Sequence, residues 1–247
     1  MIVLVAGVVQ GAAGFGFGLV ALPATMAITG SVGSVPMVML LSATVCSGLA
    51  WRAREDVGWR TLRVLLTGSV VGFPIGLALF QWADLRTLQL SVGATVLLVA
   101  TRLALQLRRL SGDTPAGDES DPAAESETSL AGGIGVGALG GLLASSIALP
   151  GPPIVLYLTA LATPKSRARA TTLAFFVFAL WGSLALQAGM IGVAPTVWRT
   201  GALLIPVALV GGWLGEQLCE RLAERSFRVF TLVLIGITGV VALVTAF

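Results

Sequence analysis

The first 51 residues, MIVLVAGVVQGAAGFGFGLVALPATMAITGSVGSVPMVMLLSATVCSGLAW (1–51), contain no Asp, Glu, Lys or Arg. Further uncharged runs cover residues 64–83, 128–164, 170–198, 200–215 and 229–247. A helix needs about 20 mostly apolar residues to cross a bilayer, so these runs predict an all-α polytopic membrane protein. Membrane β-barrel strands would instead alternate polar and apolar residues.

The composition excludes several classes of protein. Charged residues make up 11% of the chain and the mean hydropathy is +0.94, whereas soluble domains carry about 25% charged residues. A soluble enzyme and a disordered chain are therefore excluded. The net charge of +3 is small and scattered, which argues against nucleic acid as a partner. The lipid bilayer is the partner that this composition predicts.

Few residues offer catalytic or metal-binding chemistry. The chain has no histidine, and its two cysteines, Cys46 and Cys219, are far apart in apolar surroundings. We therefore expect no metal, no cofactor and no enzymatic activity.

The chain consists of two similar halves. Trp59-Arg60-Thr61 recurs as Trp198-Arg199-Thr200, and Gly72 and Gly76 recur at the same offset as Gly211 and Gly215. The acidic, proline-containing stretch between them predicts a disordered cytoplasmic linker. The predicted organisation is membrane repeat 1 at 1–110, the linker at 111–129 and membrane repeat 2 at 130–247.

Each half begins with an apolar segment of about 30 residues, too long for one crossing and too short for two. Glycines at 14–18 interrupt the first segment, and Pro150-Gly151-Pro152-Pro153 interrupts the second. Two half-helices of about a dozen residues each would reach mid-membrane, as in a re-entrant hairpin. The other predicted helices are at 33–51, 62–82, 86–107, 170–192, 197–219 and 226–246.

The basic residues favour hairpins over full spans. With eight plain spans, the fifteen basic residues divide eight to seven between the two sides of the membrane. With two hairpins there are six crossings and the division is thirteen to two, with only Arg86 and Arg199 outside. The positive-inside rule requires such a bias. We therefore predict two inverted repeats, each a broken re-entrant hairpin plus three transmembrane helices, with eight plain spans as the alternative.

The two breaks are the predicted binding site. A helix that restarts at membrane depth presents free N–H groups and the positive end of its dipole, which together favour an anion. Proline is compatible with the first turn of such a helix. The predicted substrate-binding residues are Gln10, Gly14, Phe15, Gly16, Phe17, Gly18, Ser145, Ser146, Pro150, Gly151 and Pro152. The alternative is that the glycines serve only close helix packing.

Charged side chains have little part in this predicted site. No Arg or Lys lies deep in a predicted span, so neutral donors and backbone dipoles would hold a small anionic substrate. Glu216 is the candidate for proton coupling, and the alternative is an interfacial acid near Arg221. Gln187 and Ser183 are interpreted as residues that join helices.

Residues 10–23, QGAAGFGFGLVALP, and 148–157, ALPGPPIVLY, resemble the two signatures of the sulfite exporter TauE/SafE family. The resemblance carries over to Gly14, Phe15, Gly16, Gly18 and Pro23 in the first half, and to Gly151, Pro152 and Pro153 in the second. The sequence departs from the family pattern at Ala148 and Pro150, where the family usually has glycine.

The resemblance implies a multi-pass permease of the bacterial inner membrane. It would export small sulfur-containing or organic anions, such as sulfite or sulfoacetate, by alternating access as a secondary transporter. An anion channel and a non-transporting structural subunit are the alternatives. The sequence leaves open whether the protein forms a homo-oligomer.

Overall fold

The computed structural model describes residues 1–31, 33–82, 84, 87, 124–161 and 163–221, with the backbone alone at 124–129 and 219–221. The predicted helix 226–246, the predicted helix 86–107 apart from Thr87, and linker residues 111–123 lie outside the described residues.

Every element in the described part of the chain is helical. The α-helices are α1 (Ile2–Ala13), α2 (Phe17–Thr29), α3 (Ser34–Arg52), α4 (Trp59–Trp82), α5 (Ala124–Ile147), α6 (Gly151–Ala160), α7 (Lys165–Met190) and α8 (Pro195–Arg221), and a 3₁₀ turn (Arg54–Asp56) joins α3 to α4.

Five helices are long and apolar enough to cross a membrane. They are α3, α4, α7, the Leu130–Ile147 part of α5, and the Pro195–Leu218 part of α8. The all-helical polytopic membrane fold that the charge-free runs predict is therefore confirmed.

Two helices begin earlier than the sequence predicts. The helix predicted at 170–192 begins at Lys165 as α7, because Pro164 starts the helix and accepts a hydrogen bond from the Ala168 N–H. Pro152 and Pro153 lie in the first turn of α6, as expected of proline, since the first turn of a helix needs no N–H donors. α5 begins at Ala124 and so takes in the last six residues of the predicted linker. Glu125 and Glu127 suit a helix N-terminus.

Both initial segments are broken close to the predicted places. α1 and α2 have 12 and 13 residues, and α6 has 10, so each is at most ~20 Å long and shorter than a ~30 Å hydrocarbon core. α5 is different, because its apolar part alone has 18 residues. The expectation that all four half-helices end at mid-membrane is therefore wrong for α5.

The second segment folds back on itself as a hairpin. The side chain of Ile154 lies against Gly140, and that of Tyr157 lies against Gly133. The order of these contacts makes α6 antiparallel to α5.

Contacts along neighbouring helices give their relative directions. Gly211 and Gly215 of α8 face the Leu4 and Val8 carbonyl groups, so α1 and α8 run parallel. Gly68 and Gly76 of α4 likewise face the carbonyl groups of Ile134 and Leu142, so α4 and α5 run parallel.

The same reasoning orients α3 and α7. The Trp181 Nε1–H donates to Ser47 Oγ over 3.1 Å, and the Gly58 N–H, just beyond α3, donates to Thr171 Oγ1 over 3.0 Å. α3 and α7 are therefore antiparallel.

The most extensive helix–helix contacts join helices of different halves. α4 packs on α5 and α1 packs on α8, with glycines at the points of closest approach. A Cβ atom on Gly72 would collide with the Ala138 carbonyl oxygen, and one on Gly137 would collide with that of Leu65. Small residues of this kind let helix backbones pack closely within membranes, and here they interlock the two halves.

Gly137→Ala tests this packing. The added methyl group would collide with the Leu65 backbone in α4, so we expect the free energy of unfolding to fall by about 1–3 kcal/mol. SDS titration of the protein in mixed micelles measures it. The matched control is Gly135→Ala on the same helix, where nothing lies within 4 Å and alanine is the better helix former. Equal effects of the two substitutions would contradict the packing.

Candidate functional site

Glycine is required at both sides of the first break. Gly14 ends α1 with φ +77°, and its N–H donates to the Gln10 carbonyl oxygen over 2.8 Å. Gly16 precedes α2 with φ +114°. Residues with a Cβ atom rarely adopt these conformations, so the chain can reverse here only with glycine at these positions.

The side chain of Gln10 holds the two sides of this break together. Its Oε1 accepts the Phe17 N–H over 2.9 Å, and its Nε2 donates to Cys46 Sγ over 3.0 Å and to the Gly14 carbonyl oxygen over 3.4 Å. Gln10 is fully buried. The predicted anion donors Gln10 and Phe17 are therefore hydrogen bonded to the protein itself.

Two donors at the start of α2 have no acceptor in the described part of the chain. The first N–H groups of an α-helix have no acceptor within the helix, and of these Gln10 accepts only that of Phe17. The N–H groups of Gly18 and Leu19 are therefore available at the positive end of the α2 dipole.

The second break comprises Ala148, Leu149 and Pro150. Ala148 has φ +56°, a left-handed conformation that costs a residue other than glycine about 1–2 kcal/mol. Gly151 then starts α6, followed by two prolines. Because proline has no N–H group, Gly151 carries the one N–H donor among the first three residues of α6.

The two breaks meet. A Cβ atom on Gly18 would lie 2.6 Å from the Ala148 carbonyl oxygen, and one on Gly151 would lie 3.6 Å from the Phe15 Cβ. A small crevice opens between them, lined by Gln10, Phe15, Gly16, Gly18, Leu19, Ser42, Ala148, Leu149, Pro150, Gly151, Pro152 and Phe176.

The crevice lies at mid-helix depth. Ser42 is the ninth of 19 residues in α3, and Phe176 is the twelfth of 26 in α7. The crevice has room for about one water molecule, so a larger ligand requires it to widen.

No lining residue carries a charge. The available donors are the N–H groups of Gly18, Leu19 and Gly151, together with the hydroxyl of Ser42. The starts of α2 and α6 both face the crevice, so two helix dipoles present their positive ends to it. Such a site suits a small anion.

The structure brings together seven of the predicted site residues in the crevice lining: Gln10, Phe15, Gly16, Gly18, Pro150, Gly151 and Pro152. Gly14 and Phe17 are their chain neighbours and form the break itself. Of the five other lining residues, Leu19 directly follows Gly18, and the sequence prediction missed Ser42, Ala148, Leu149 and Phe176. Ala148 and Leu149 adjoin the break predicted at 150–153, but no local pattern marks Ser42 or Phe176.

Ser145 and Ser146 are outside the lining. The Ser145 hydroxyl donates to carbonyl oxygens that include Phe73 at 3.0 Å, and the Ser146 hydroxyl donates to Leu142 at 2.7 Å. A role for them in anion binding stays a prediction. The Ser145 carbonyl oxygen accepts from Gln187 Nε2 over 2.9 Å, which confirms Gln187 as a residue that joins helices. The same interpretation is wrong for Ser183, whose buried hydroxyl has no hydrogen-bond partner in the described part of the chain.

Glu216 also lies outside the lining. Its Oε2 accepts from Arg52 over 2.7 Å, and its Oε1 is 3.9 Å from an Arg169 nitrogen. Glu216 therefore connects α8 to α3 and α7. Proton coupling at Glu216 stays a prediction.

These features define a polytopic membrane protein in which two broken helices form an uncharged site at mid-helix depth. A family model described as "Sulfite exporter TauE/SafE" matches residues 1–242. The chain therefore belongs to the TauE/SafE family, and the resemblance stated above is confirmed. Family membership implies a membrane transporter of sulfur-containing anions rather than an enzyme. Comparisons with curated proteins and with solved structures give no match.

Gln10→Leu tests the bracing of the first break. It leaves the buried Phe17 N–H without its acceptor, so we expect the free energy of unfolding to fall by about 1–3 kcal/mol. SDS titration measures the change. As the control, Cys46→Ser keeps an acceptor for Gln10 Nε2 and should cost less. If Cys46→Ser lowers the free energy of unfolding more than Gln10→Leu does, Gln10 does not stabilise the first break.

Proposed function

We propose that this protein is a secondary transporter that exports small sulfur-containing or organic anions, such as sulfite or sulfoacetate, across the bacterial inner membrane. The observation that carries the proposal is the crevice in which the starts of α2 and α6 face each other. An uncharged site that holds an anion by dipoles and N–H groups binds it reversibly, and transport requires reversible binding.

Helix directions support an inverted-repeat architecture. The sequence repeat makes α5 the counterpart of α1, α7 the counterpart of α3 and α8 the counterpart of α4. α3 and α7 run antiparallel, as the Ser47–Trp181 hydrogen bond indicates. α8 runs parallel to α3, since Leu40 contacts Gly201 and Arg52 pairs with Glu216, whereas α4 runs parallel to α7. Each helix therefore opposes its counterpart, as in transporters built from inverted repeats.

Alternating access requires the crevice to open, because it now holds about one water molecule. Rocking of the two halves as whole bodies would break the glycine contacts of α1 with α8 and of α4 with α5. We therefore propose that each of these pairs moves as one body.

Apolar outer surfaces fit a position in the bilayer. In the described part of the chain, Val70 of α4 and Leu203 of α8 are 66% and 78% exposed. We propose that these faces contact lipid.

The proposal is tested on the full-length protein purified in detergent and in proteoliposomes. Thermal shift against sulfite, sulfoacetate, thiosulfate and acetate should show stabilisation by at least one sulfur-containing anion. A ligand at 100 times its Kd stabilises by about 2.7 kcal/mol. The same anion should show saturable counterflow. Absence of stabilisation by every anion would instead indicate a structural subunit, and flux that does not saturate would indicate a channel.

Gly16→Val tests whether transport depends on the first break. Valine cannot adopt φ +114°, and its Cβ atom would lie 3.0 Å from a methyl group of Val9. We expect the variant to insert into the membrane without transporting. The control is Gly189→Val, since nothing lies within 4 Å of Gly189. Normal counterflow by Gly16→Val would contradict a site at the breaks.

A further inference from the structure

Arg169 extends from the start of α7 to the first break. Its guanidinium donates to the Gly11 carbonyl oxygen over 2.6 Å, and Gly11 lies in the last turn of α1. A cation at this end of a helix is favoured by the dipole and by the free carbonyl groups. Although Arg169 is distant in sequence, it is therefore part of the structure that ends α1.

The stem of Arg169 lies against Gly14. A Cβ atom on Gly14 would lie 2.9 Å from the Arg169 Cγ, so Gly14 gives Arg169 room as well as turning the chain. The next residues, Phe15 and Gly16, line the crevice. The positive charge of Arg169 is therefore close to the crevice, although the residues that line the crevice are uncharged.

The guanidinium of Arg169 has an unused donor. Its Nε is buried and has no hydrogen-bond partner in the described part of the chain. The nearest Glu216 oxygen is 3.9 Å from an Arg169 nitrogen, which is beyond hydrogen-bond range. A buried donor without an acceptor is costly, and an ordered water or an anion can supply the acceptor.

In the described part of the chain, the acid that pairs with Arg169 is Glu216, which it shares with Arg52. Glu216 makes its close ion pair with Arg52, at 2.7 Å. The cluster of Arg52, Arg169 and Glu216 thus has two positive charges and one negative charge, a net charge of +1. This cluster lies on the side of the membrane that the positive-inside rule assigns to the cytoplasm.

We propose that Arg169 binds the transported anion on the cytoplasmic side of the first break. This inference rests on the proposed transport of anions. An oxyanion can accept from the Nε and a second guanidinium nitrogen at once, a planar arrangement that suits sulfite, sulfonate and carboxylate groups. The anion then moves from Arg169 to the N–H groups of the crevice.

The test is isothermal titration of the purified full-length protein with sulfite, comparing wild type with Arg169→Gln, Arg169→Lys and Arg167→Gln. Hydrogen bonds to charged groups predict that Arg169→Gln raises Kd about tenfold or more. Arg169→Lys keeps the charge but loses the planar fork, so its Kd should rise by a smaller factor. Arg167→Gln removes an equal charge from an exposed position two residues away, and its Kd should stay within twofold.

In vesicles of defined orientation, the KM for sulfite can be measured separately at each face of the membrane. General destabilisation of the protein would not change the KM at one face more than at the other. Arg169→Lys should raise the KM for sulfite offered at the cytoplasmic face more than the KM at the opposite face. If Arg169→Gln does not fold, Arg169→Lys decides the matter. Wild-type affinity and a wild-type KM at the cytoplasmic face would overturn the role of Arg169 while leaving transport itself intact. Failure of the wild-type protein to bind any anion would instead refute the proposed function.

Discussion

The structure depends on how the backbone N–H and carbonyl groups find hydrogen-bond partners at the two breaks. Peptide groups that lack partners are costly away from water, and both breaks solve the problem in the same asymmetric way. Side-chain donors hold the carbonyl ends, because Arg169 binds the Gly11 oxygen, Gln10 reaches the Gly14 oxygen and Gln187 binds the Ser145 oxygen. The N–H groups at the restarting ends are left largely open, and these open donors face the crevice. Open N–H groups at the positive ends of two helix dipoles favour an anion.

The glycines have two distinct roles that the sequence alone does not separate. Gly14 and Gly16 adopt backbone conformations that reverse the chain, and Gly18 lets the first break approach the second. The glycines of α4, α5 and α8 have ordinary helical conformations and serve close packing between the halves. The glycines that turn the chain and the glycines that allow close helix packing are therefore at different positions. The interlocked packing in turn fixes which helices can move together while the site opens.

In the described part of the chain, local signals predicted the spans, the places of the breaks and seven of the residues that line the crevice. Runs of apolar residues and helix-breaking residues act within a few positions along the chain, so they can be recognised from the sequence. The length of α5 was missed, since nothing in its sequence distinguishes a half-helix from a full span. The helical start of α7 was missed because its basic residues suggested a loop. Ser42 and Phe176 reach the crevice, and Arg169 reaches the end of α1, through tertiary packing. No spacing in the sequence indicates that Arg169 lies against Gly14.

The central claim is that an anion binds where the starts of α2 and α6 meet. The most direct measurement is a crystal structure of the protein with selenite, whose selenium is located by anomalous scattering. We predict an anomalous peak between Gly18 and Gly151, within hydrogen-bond distance of their N–H groups. A peak elsewhere in the protein, with none at the two breaks, would contradict the account.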